Sequence, residues 1–203
     1  MVIAVATQKG GTGKTTTSIS LAAGLARHDN KKVLLIDIDS QANSSKVLLP
    51  NYQEIQDHKT ICATMLERAP LPIHSSSIPN LDIVPSHILL SNTDVELTTA
   101  MDHRESRLKA ALDPIKDQYD HIFIDCPPAL GWLTINALNA SHAVLLPTQP
   151  QAVDLRGVAL FLDTLETIRE DLEKEIALFG ILVTFFDSRI SHHGEALEEI
   201  KRA

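Results

Sequence analysis

Residues 8–16, Gln-Lys-Gly-Gly-Thr-Gly-Lys-Thr-Thr, are the stretch that decides the fold of this chain. They follow a short apolar run at 2–6 and precede a helix-like segment at 16–27. Between a strand and a helix, successive backbone N–H groups and the helix N-terminus converge on one anion. Three closely spaced glycines let the backbone curl without Cβ clashes. The stretch therefore predicts a phosphate-binding loop.

The side chains of this loop have distinct expected tasks. Lys14 is placed to reach the β- and γ-phosphates of a nucleotide, and the Thr15 hydroxyl is placed to ligate Mg²⁺. The general pattern G-x-x-x-x-G-K-[ST] is not met literally, because Gln8 stands where its first glycine belongs. The residues expected to bind the nucleotide phosphates are Gly10, Gly11, Thr12, Gly13, Lys14, Thr15 and Thr16.

The composition is that of a reduced globular protein. A chain of 203 residues with 44% hydrophobic content can form one sizeable core, so one domain over 1–203 is expected. The chain has no apolar run long enough to span a membrane and no room for a signal peptide before its first strand. Its two cysteines, Cys62 and Cys126, lack metal-ligand spacing. A cytoplasmic protein is the expectation, and the net charge of −8 argues against coating DNA by bulk electrostatics.

Short apolar runs alternate with amphipathic segments along the chain. Such runs are typical of strands buried on both faces of a parallel sheet, so we predict a doubly wound, mainly parallel α/β sheet flanked by helices. Strands are expected at 2–6, 33–37, 81–84, 121–125, 143–147 and 178–184, and a surface loop at 70–80. Helices are expected at 14–27, 60–68, 91–100, 104–117, 131–140, 152–172 and 192–202. Ligands of such sheets bind beyond the carboxyl ends of the strands.

The string K-G-G-T-G-K-T-T at 9–16 resembles the deviant Walker A motif of the ParA/MinD class of P-loop ATPases. In that class the early lysine, here Lys9, reaches across a nucleotide-sandwich dimer and touches the partner's ATP. The resemblance thus implies an ATP- and Mg²⁺-dependent ATPase in which Lys9 and Lys14 are catalytic. The alternative for Lys9 is a solvated loop lysine in an ordinary nucleotide-binding domain.

Two further segments resemble switch regions of this class. Residues 37–43, Asp-Ile-Asp-Ser-Gln-Ala-Asn, resemble switch I, D-x-D-P-Q-x-N, with Ser40 in place of the proline. By that match Asp39 is the catalytic candidate that positions the attacking water, and it is also a candidate for the metal site. Residues 125–128, Asp-Cys-Pro-Pro, resemble switch II, which makes Asp125 the Walker B ligand of Mg²⁺. The metal-site candidates are therefore Thr15, Asp39 and Asp125.

The C-terminal part of the chain carries weaker signals. Residues 184–189 resemble the family segment beside the adenine and the dimer interface, so Phe185 and Phe186 are adenine candidates, although such phenylalanines are more often core residues. Family members grip DNA non-specifically with C-terminal basic residues, here Arg189, Lys201 and Arg202. Three glutamates in the same stretch balance that charge, so a solvated helix face is the alternative.

The resemblance covers essentially the whole chain and implies a small partition or positioning ATPase. Relatives extend further at the C-terminus, so the chain is expected to be a shortened variant or a truncated piece. Neither an N-terminal helix-turn-helix nor the basic membrane-targeting helix of MinD is expected, so no membrane partner is expected. The implied partners are a second copy in the ATP state, non-specific DNA, and a ParB-like or other cargo adaptor, with a nucleoid-associated location. The cargo, whether plasmid, chromosome, carboxysome or chemoreceptor cluster, stays open.

Two rival functions stay open at this point. One is a metabolic ATP-dependent enzyme of the same fold, similar to dethiobiotin synthetase, which would not need Lys9. The other is a nucleotide-dependent scaffold for iron–sulfur assembly, which would need a paired-cysteine motif. A cluster takes about four thiolates, so Cys126 is expected to be a small buried thiol.

Overall fold

The computed structural model describes residues 1–202, apart from the side chains of residues 152–155 and 202. The strands are β1 Val2–Val5, β2 Val33–Asp37, β3 His74–Ser75, β4 Leu81–Val84, β5 His121–Asp125, β6 Ala143–Thr148 and β7 Ala177–Val183. The helices are α1 Lys14–His28, α2 Asn43–Leu48, α3 Ile61–Glu67, α4 Leu90–Thr99, α5 Arg107–Leu112, α6 Trp132–Ala140, α7 Ala152–Asp171 and α8 Ser191–Arg202.

The strands form one seven-stranded sheet in the order β3-β4-β2-β5-β1-β6-β7. All neighbouring pairs are parallel except β3 with β4, which is antiparallel. The central strand β1 lies between β5 and β6, and β2 lies beyond β5. The strand order reverses beside β1, which is where ligands bind in doubly wound sheets. The predicted fold class is confirmed.

Helices cover both faces of the sheet because its central strands are apolar on both sides. Ile3, Val5 and Leu35 pack with residues of α1 and α2 on one face. On the other face, Ala4 and Ile36 pack with residues of α3 through α7. Every residue of β1 and β2 is buried, as expected for continuous apolar runs in a parallel sheet.

Three local features differ from the sequence prediction. Helix α2 was not expected, since its sequence Asn-Ser-Ser-Lys-Val-Leu is short and rich in residues of low helix propensity. The predicted surface loop at 70–80 contains β3. The helix expected at 104–117 is instead a 3₁₀ turn, the short helix α5 and, beyond Pro114, a second 3₁₀ turn at Lys116–Gln118. Proline is tolerated only near the start of a helix, which explains why α5 stops before it.

Candidate functional site

The phosphate-binding loop connects β1 with α1 at the carboxyl end of the sheet. Two of its glycines have left-handed backbone conformations, with φ of +76° at Gly11 and +88° at Gly13. Residues with a Cβ rarely adopt such values, so the loop requires glycine at these positions. Gly13 is also the residue that precedes the first turn of α1, and its carbonyl accepts the Thr17 N–H at 2.8 Å. The N-terminus of α1 is therefore presented to the concave side of the loop.

Lys14 is folded into this loop. Its side chain is buried, and its Nζ donates to the backbone carbonyl oxygen of Lys9 at 2.9 Å. Burial lowers the pKa of the Lys14 amine, an effect that the nearby Cys126 and Asp125 oppose. A buried amine at the first residue of a P-loop helix is placed to neutralise a phosphate.

Side chains from two neighbouring strand ends hold the outer carbonyl groups of the loop. Gln149 follows β6, and its Nε2 donates to the Gly11 carbonyl at 2.9 Å. Thr184 follows β7, and its hydroxyl contacts the carbonyl oxygens of Thr12 at 2.9 Å and Thr148 at 3.0 Å. These contacts hold the carbonyl groups of the loop in place.

Two carboxylates lie side by side under the loop. Asp37 at the end of β2 and Asp125 at the end of β5 are register partners, and both are almost completely buried. Burial raises the pKa of both groups, and the charge of Asp125 raises the pKa of Asp37 further. Neighbouring buried carboxylates are costly to ionise together, and a cation between them would relieve that cost. The sequence analysis singled out Asp125, and Asp37 begins the segment that resembles switch I.

Serine hydroxyls complete the hydrogen bonding of these carboxylates. Ser44 donates to Asp125 at 2.7 Å, and Ser18 of α1 is 3.3 Å from the other oxygen of the same carboxylate. Ser45 donates to Asp37 through both its hydroxyl, at 2.7 Å, and its N–H, at 2.9 Å. Helix α2 thus joins the two carboxylates. Sequence reasoning missed these serines. The only signal for Ser44 and Ser45 was that two consecutive serines follow the segment that resembles switch I.

Asp39 lies at the mouth of the site. Its side chain is half-buried, and its Oδ1 accepts the Gln41 N–H at 3.0 Å in a turn after β2. Its own N–H donates to Asp37 at 3.1 Å. Asp39 also lines a cavity of about 260 Å³ with Pro127 and Pro128. The two segments that resemble switch I and switch II therefore face each other across this cavity.

The groups near Asp125 fit a magnesium ion. The Thr15 hydroxyl acts to lower the pKa of Asp125, and the charge of Asp39 acts to raise it, so the three predicted metal residues interact. Mg²⁺ prefers oxygen ligands and usually takes only one or two carboxylates, with water and phosphate oxygens completing its shell. In the described part of the chain no three His, Cys, Asp or Glu side chains form a metal cluster, so a magnesium ion here would depend on hydroxyl and phosphate oxygens.

The phenylalanines after β7 border the phosphate loop on one side. Phe185 is 69% exposed and has a φ of +53°, and its ring edge lies 3.9 Å from the position that a Cβ on Gly13 would take. Phe186 is also exposed, and its ring centroid is 6.0 Å from that of His193. Neither residue is a core side chain. Phe185 therefore presents an exposed ring beside the phosphate loop.

The candidate DNA-contacting residues are engaged with acids. Arg189 forms an ion pair with Asp187 at 2.6 Å, and Lys201 forms one with Glu198 at 2.8 Å. The side chain of Arg202 lies outside the described residues. Both described basic groups are exposed, and exposed pairs contribute little to stability, so their partners can be exchanged.

The two cysteines and one buried amide of α6 have structural explanations. Cys126 is buried, and burial raises the pKa of its thiol, while Cys62 lies in α3 on the same face of the sheet. Asn136 of α6 is fully buried and bonded to the backbone of Arg104, Leu108 and Trp132. No helix among the described residues has the length and apolar character needed to cross a bilayer.

Comparison with known proteins is consistent with this geometry. A family model described as an AAA domain, AAA_31, matches residues 1–178. The chain is 38% identical to the sporulation initiation inhibitor protein Soj of Bacillus subtilis over 203 residues, which cover 99% of this chain and 79% of Soj.

Solved structures show the same fold. A plasmid partition protein from Borrelia burgdorferi superimposes with a TM-score of 0.86 and 28% identity, covering 100% of this chain and 86% of that one. A cobyrinic acid a,c-diamide synthase from Mycobacterium smegmatis, solved with ADP and magnesium, gives a TM-score of 0.87 at 32% identity, covering 99% of this chain and 81% of that one. The chain therefore belongs to the AAA_31 family, as a P-loop ATPase of the ParA type.

Proposed function

We propose that residues 1–203 form a single ATPase domain that works as a positional switch. ATP binding joins two copies face to face, the dimer binds DNA non-specifically, and hydrolysis stimulated by a cargo adaptor releases it. The observation that carries this proposal is the P-loop, in which Lys14 contacts the backbone of a second lysine, Lys9, beside two buried carboxylates. The relationship to Soj and to a plasmid partition protein supports a partition or positioning role.

The chemistry within one subunit is phosphoryl transfer to water. The loop N–H groups and the Lys14 amine would bind the β- and γ-phosphates, and Thr15 and Asp125 would hold Mg²⁺, which neutralises charge that develops on the phosphates. Asp39 lies beyond the end of β2, half-exposed at the cavity that separates the two switch segments. Asp39 would orient the attacking water. The energetic cost of ionising Asp37 and Asp125 together would favour the state in which a cation is bound beside them.

The second subunit would supply a positive charge. Lys9 precedes the two glycines that open the loop, and it is half-buried at the edge of the site. Lysine at this position would reach the partner's phosphates when two such loops face each other. Charge stabilisation of this kind in a water-excluded site is among the largest contributions to phosphoryl-transfer rates.

DNA binding would belong to the dimer. The chain carries a net charge of −8, so a single subunit has little general attraction for DNA, and two copies would have to combine their exposed basic groups. Arg189, Lys201 and Arg202 are the candidates. The adaptor and its cargo, which range from plasmid or chromosome to a protein compartment such as a carboxysome, are set by surfaces outside the ATP site.

The decisive experiment is to measure the size of the Asp39→Ala protein with ATP and Mg²⁺ by light scattering. This variant should bind ATP without hydrolysing it, so it should accumulate as a dimer that binds duplex DNA in a salt-sensitive manner. Wild-type protein with ADP should stay monomeric and serves as the control. A variant that remains monomeric with saturating ATP would refute the switch.

A metabolic ATP-dependent function is the second candidate, and the similarity to a cobyrinic acid a,c-diamide synthase favours it. Lys9→Ala separates the two functions. The switch requires that this change abolish both ATP-dependent dimerisation and hydrolysis, whereas a metabolic enzyme would keep most of its ATP turnover. Lys31→Ala, at an exposed lysine after α1, is the matched control and should change neither property.

The iron–sulfur scaffold remains the third candidate. Both cysteines are buried, on elements of the same sheet face, and neither is in a paired motif. Purified protein should carry no sulfide and show no charge-transfer absorption after anaerobic reconstitution with iron and sulfide. Stoichiometric cluster uptake in that experiment would favour the scaffold over the switch.

A further inference from the structure

Helix α6, which follows the segment resembling switch II, begins without a side-chain cap of its own. Its first residues are preceded by Gly131, which has no side chain to accept the free N–H groups of the first turn. One of those groups, the Leu133 N–H, instead donates to Oδ1 of Asp94 at 3.1 Å. Asp94 belongs to α4, so a neighbouring helix provides the capping carboxylate that α6 lacks.

The absence of a side chain at residue 131 is what permits this contact. A Cβ added to Gly131 would lie 2.1 Å from Oδ2 of Asp94, far inside van der Waals contact. The φ of Gly131 is −93°, a value open to any residue, so conformational freedom does not explain the glycine. Its small size does, because it lets the carboxylate approach the helix terminus.

The same short region anchors the switch II segment from inside. The hydroxyl of Thr134 donates to the Ala129 carbonyl at 2.5 Å. Residues 126–130 therefore run between two fixed points, Asp125 on β5 and the first turn of α6 held by Asp94. Asp94 also lines the cavity of about 260 Å³ that Asp39 and Pro127 line.

We propose that Asp94 is a positioning residue for ATP hydrolysis, because it fixes the exit of switch II at the first turn of α6. This inference rests on the ATPase reaction proposed above. Asp94 contacts no residue of the phosphate loop among the hydrogen bonds that the structure describes. Its loss should therefore leave phosphate binding intact while switch II, next to the Mg²⁺ ligand and the water-orienting Asp39, loses its alignment.

The test compares Asp94→Ala and Asp94→Asn with Glu96→Ala, a matched control that removes an exposed carboxylate from the same helix. For Asp94→Ala we expect kcat for ATP to fall about tenfold, which is ~1.4 kcal/mol in barrier height. KM for ATP and the Kd for ADP should stay within about twofold of wild type, because the described hydrogen bonds of Asp94 do not involve the phosphate loop. Asp94→Asn retains an acceptor oxygen and should recover most of the lost rate.

Amide hydrogen exchange of the nucleotide-free protein provides a readout that does not depend on catalysis. The Leu133 amide should exchange faster in Asp94→Ala than in wild type or Glu96→Ala. Equal exchange, or equal kcat in Asp94→Ala and Glu96→Ala, would overturn the inference while leaving the ATPase proposal in place. A parallel loss of ADP affinity and kcat would also overturn it, as a sign of general damage to the fold. A wild-type protein without ATPase activity would instead overturn the proposed function.

Discussion

Ser45→Ala tests the hydrogen-bonded connection between the buried carboxylate Asp37 and the neighbouring strands. The Ser45 hydroxyl donates to Asp37 at 2.7 Å and accepts the N–H of Ser86 at 2.9 Å, and both serines are fully buried. The change removes a bond to a carboxylate, worth about 1.5–3 kcal/mol, and leaves a buried N–H without a partner, which costs about 1–3 kcal/mol. Asp37 keeps two N–H donors, so we expect a loss near the low end of the sum, ~3 kcal/mol.

Urea unfolding followed by fluorescence is the assay, since Trp132 is the single tryptophan of the chain. A loss of ~3 kcal/mol should lower the urea midpoint by about 1 M or more, at an unchanged slope. Ser20→Ala, at an exposed position of α1, is the control and should change the midpoint little. If Ser45→Ala cost less than about 1 kcal/mol, the two hydrogen bonds would not be the connection described here.

Three further predictions concern the loop, a buried amide and a histidine. Gly13→Ala forces a Cβ onto a φ of +88°, so it should lower stability by ~1–2 kcal/mol and weaken ATP binding. Gly24→Ala in α1 is the control and should be neutral or stabilising. Thermal melts with and without ATP measure the two effects. Asn136→Ala leaves buried backbone groups unpaired and should cost about 2–4 kcal/mol, measured as a lower Tm. Partial burial and nearby cations lower the pKa of His142, whose neutral ring accepts the Val2 N–H. As the pH is lowered from the ordinary value of 6.5, the free energy of unfolding should therefore decrease until the pH lies below the lowered pKa. Thermal melts of His142→Ala should show a weaker dependence on pH.

The sequence was sufficient to predict the sheet because the strands are continuous apolar runs. Each of the six predicted strands is present, and their parallel pairing places the polar residues that follow β1, β2 and β5 at one edge. Strand order predicts that residues following these strands lie together, and the resemblance to the ParA/MinD class then assigned Thr15, Asp39 and Asp125 to one metal site. Their roles in binding ATP and Mg²⁺ stay predictions.

The contacts that support the site could not be predicted in the same way. Gln149, Thr184 and Asp94 lie far from the phosphate loop and switch II in sequence, and each acts through side-chain hydrogen bonds to backbone groups. Residues of these types occur on every protein surface, so no spacing distinguishes them. Helix α2 was missed for a related reason, because tertiary bonds from Ser44 and Ser45 hold it in place of intrinsic propensity.

The bond between the Lys14 amine and the Lys9 carbonyl connects the two lysines that have separate tasks in the proposed reaction. A phosphate that draws this amine toward itself must compete with that carbonyl, so the peptide of Lys9 loses a constraint at the moment the nucleotide arrives. The backbone that carries the Lys9 side chain would therefore be able to adjust its position only in a loaded protomer. Nucleotide-free protomers would therefore dimerise weakly, and this would not require an element that blocks their contact.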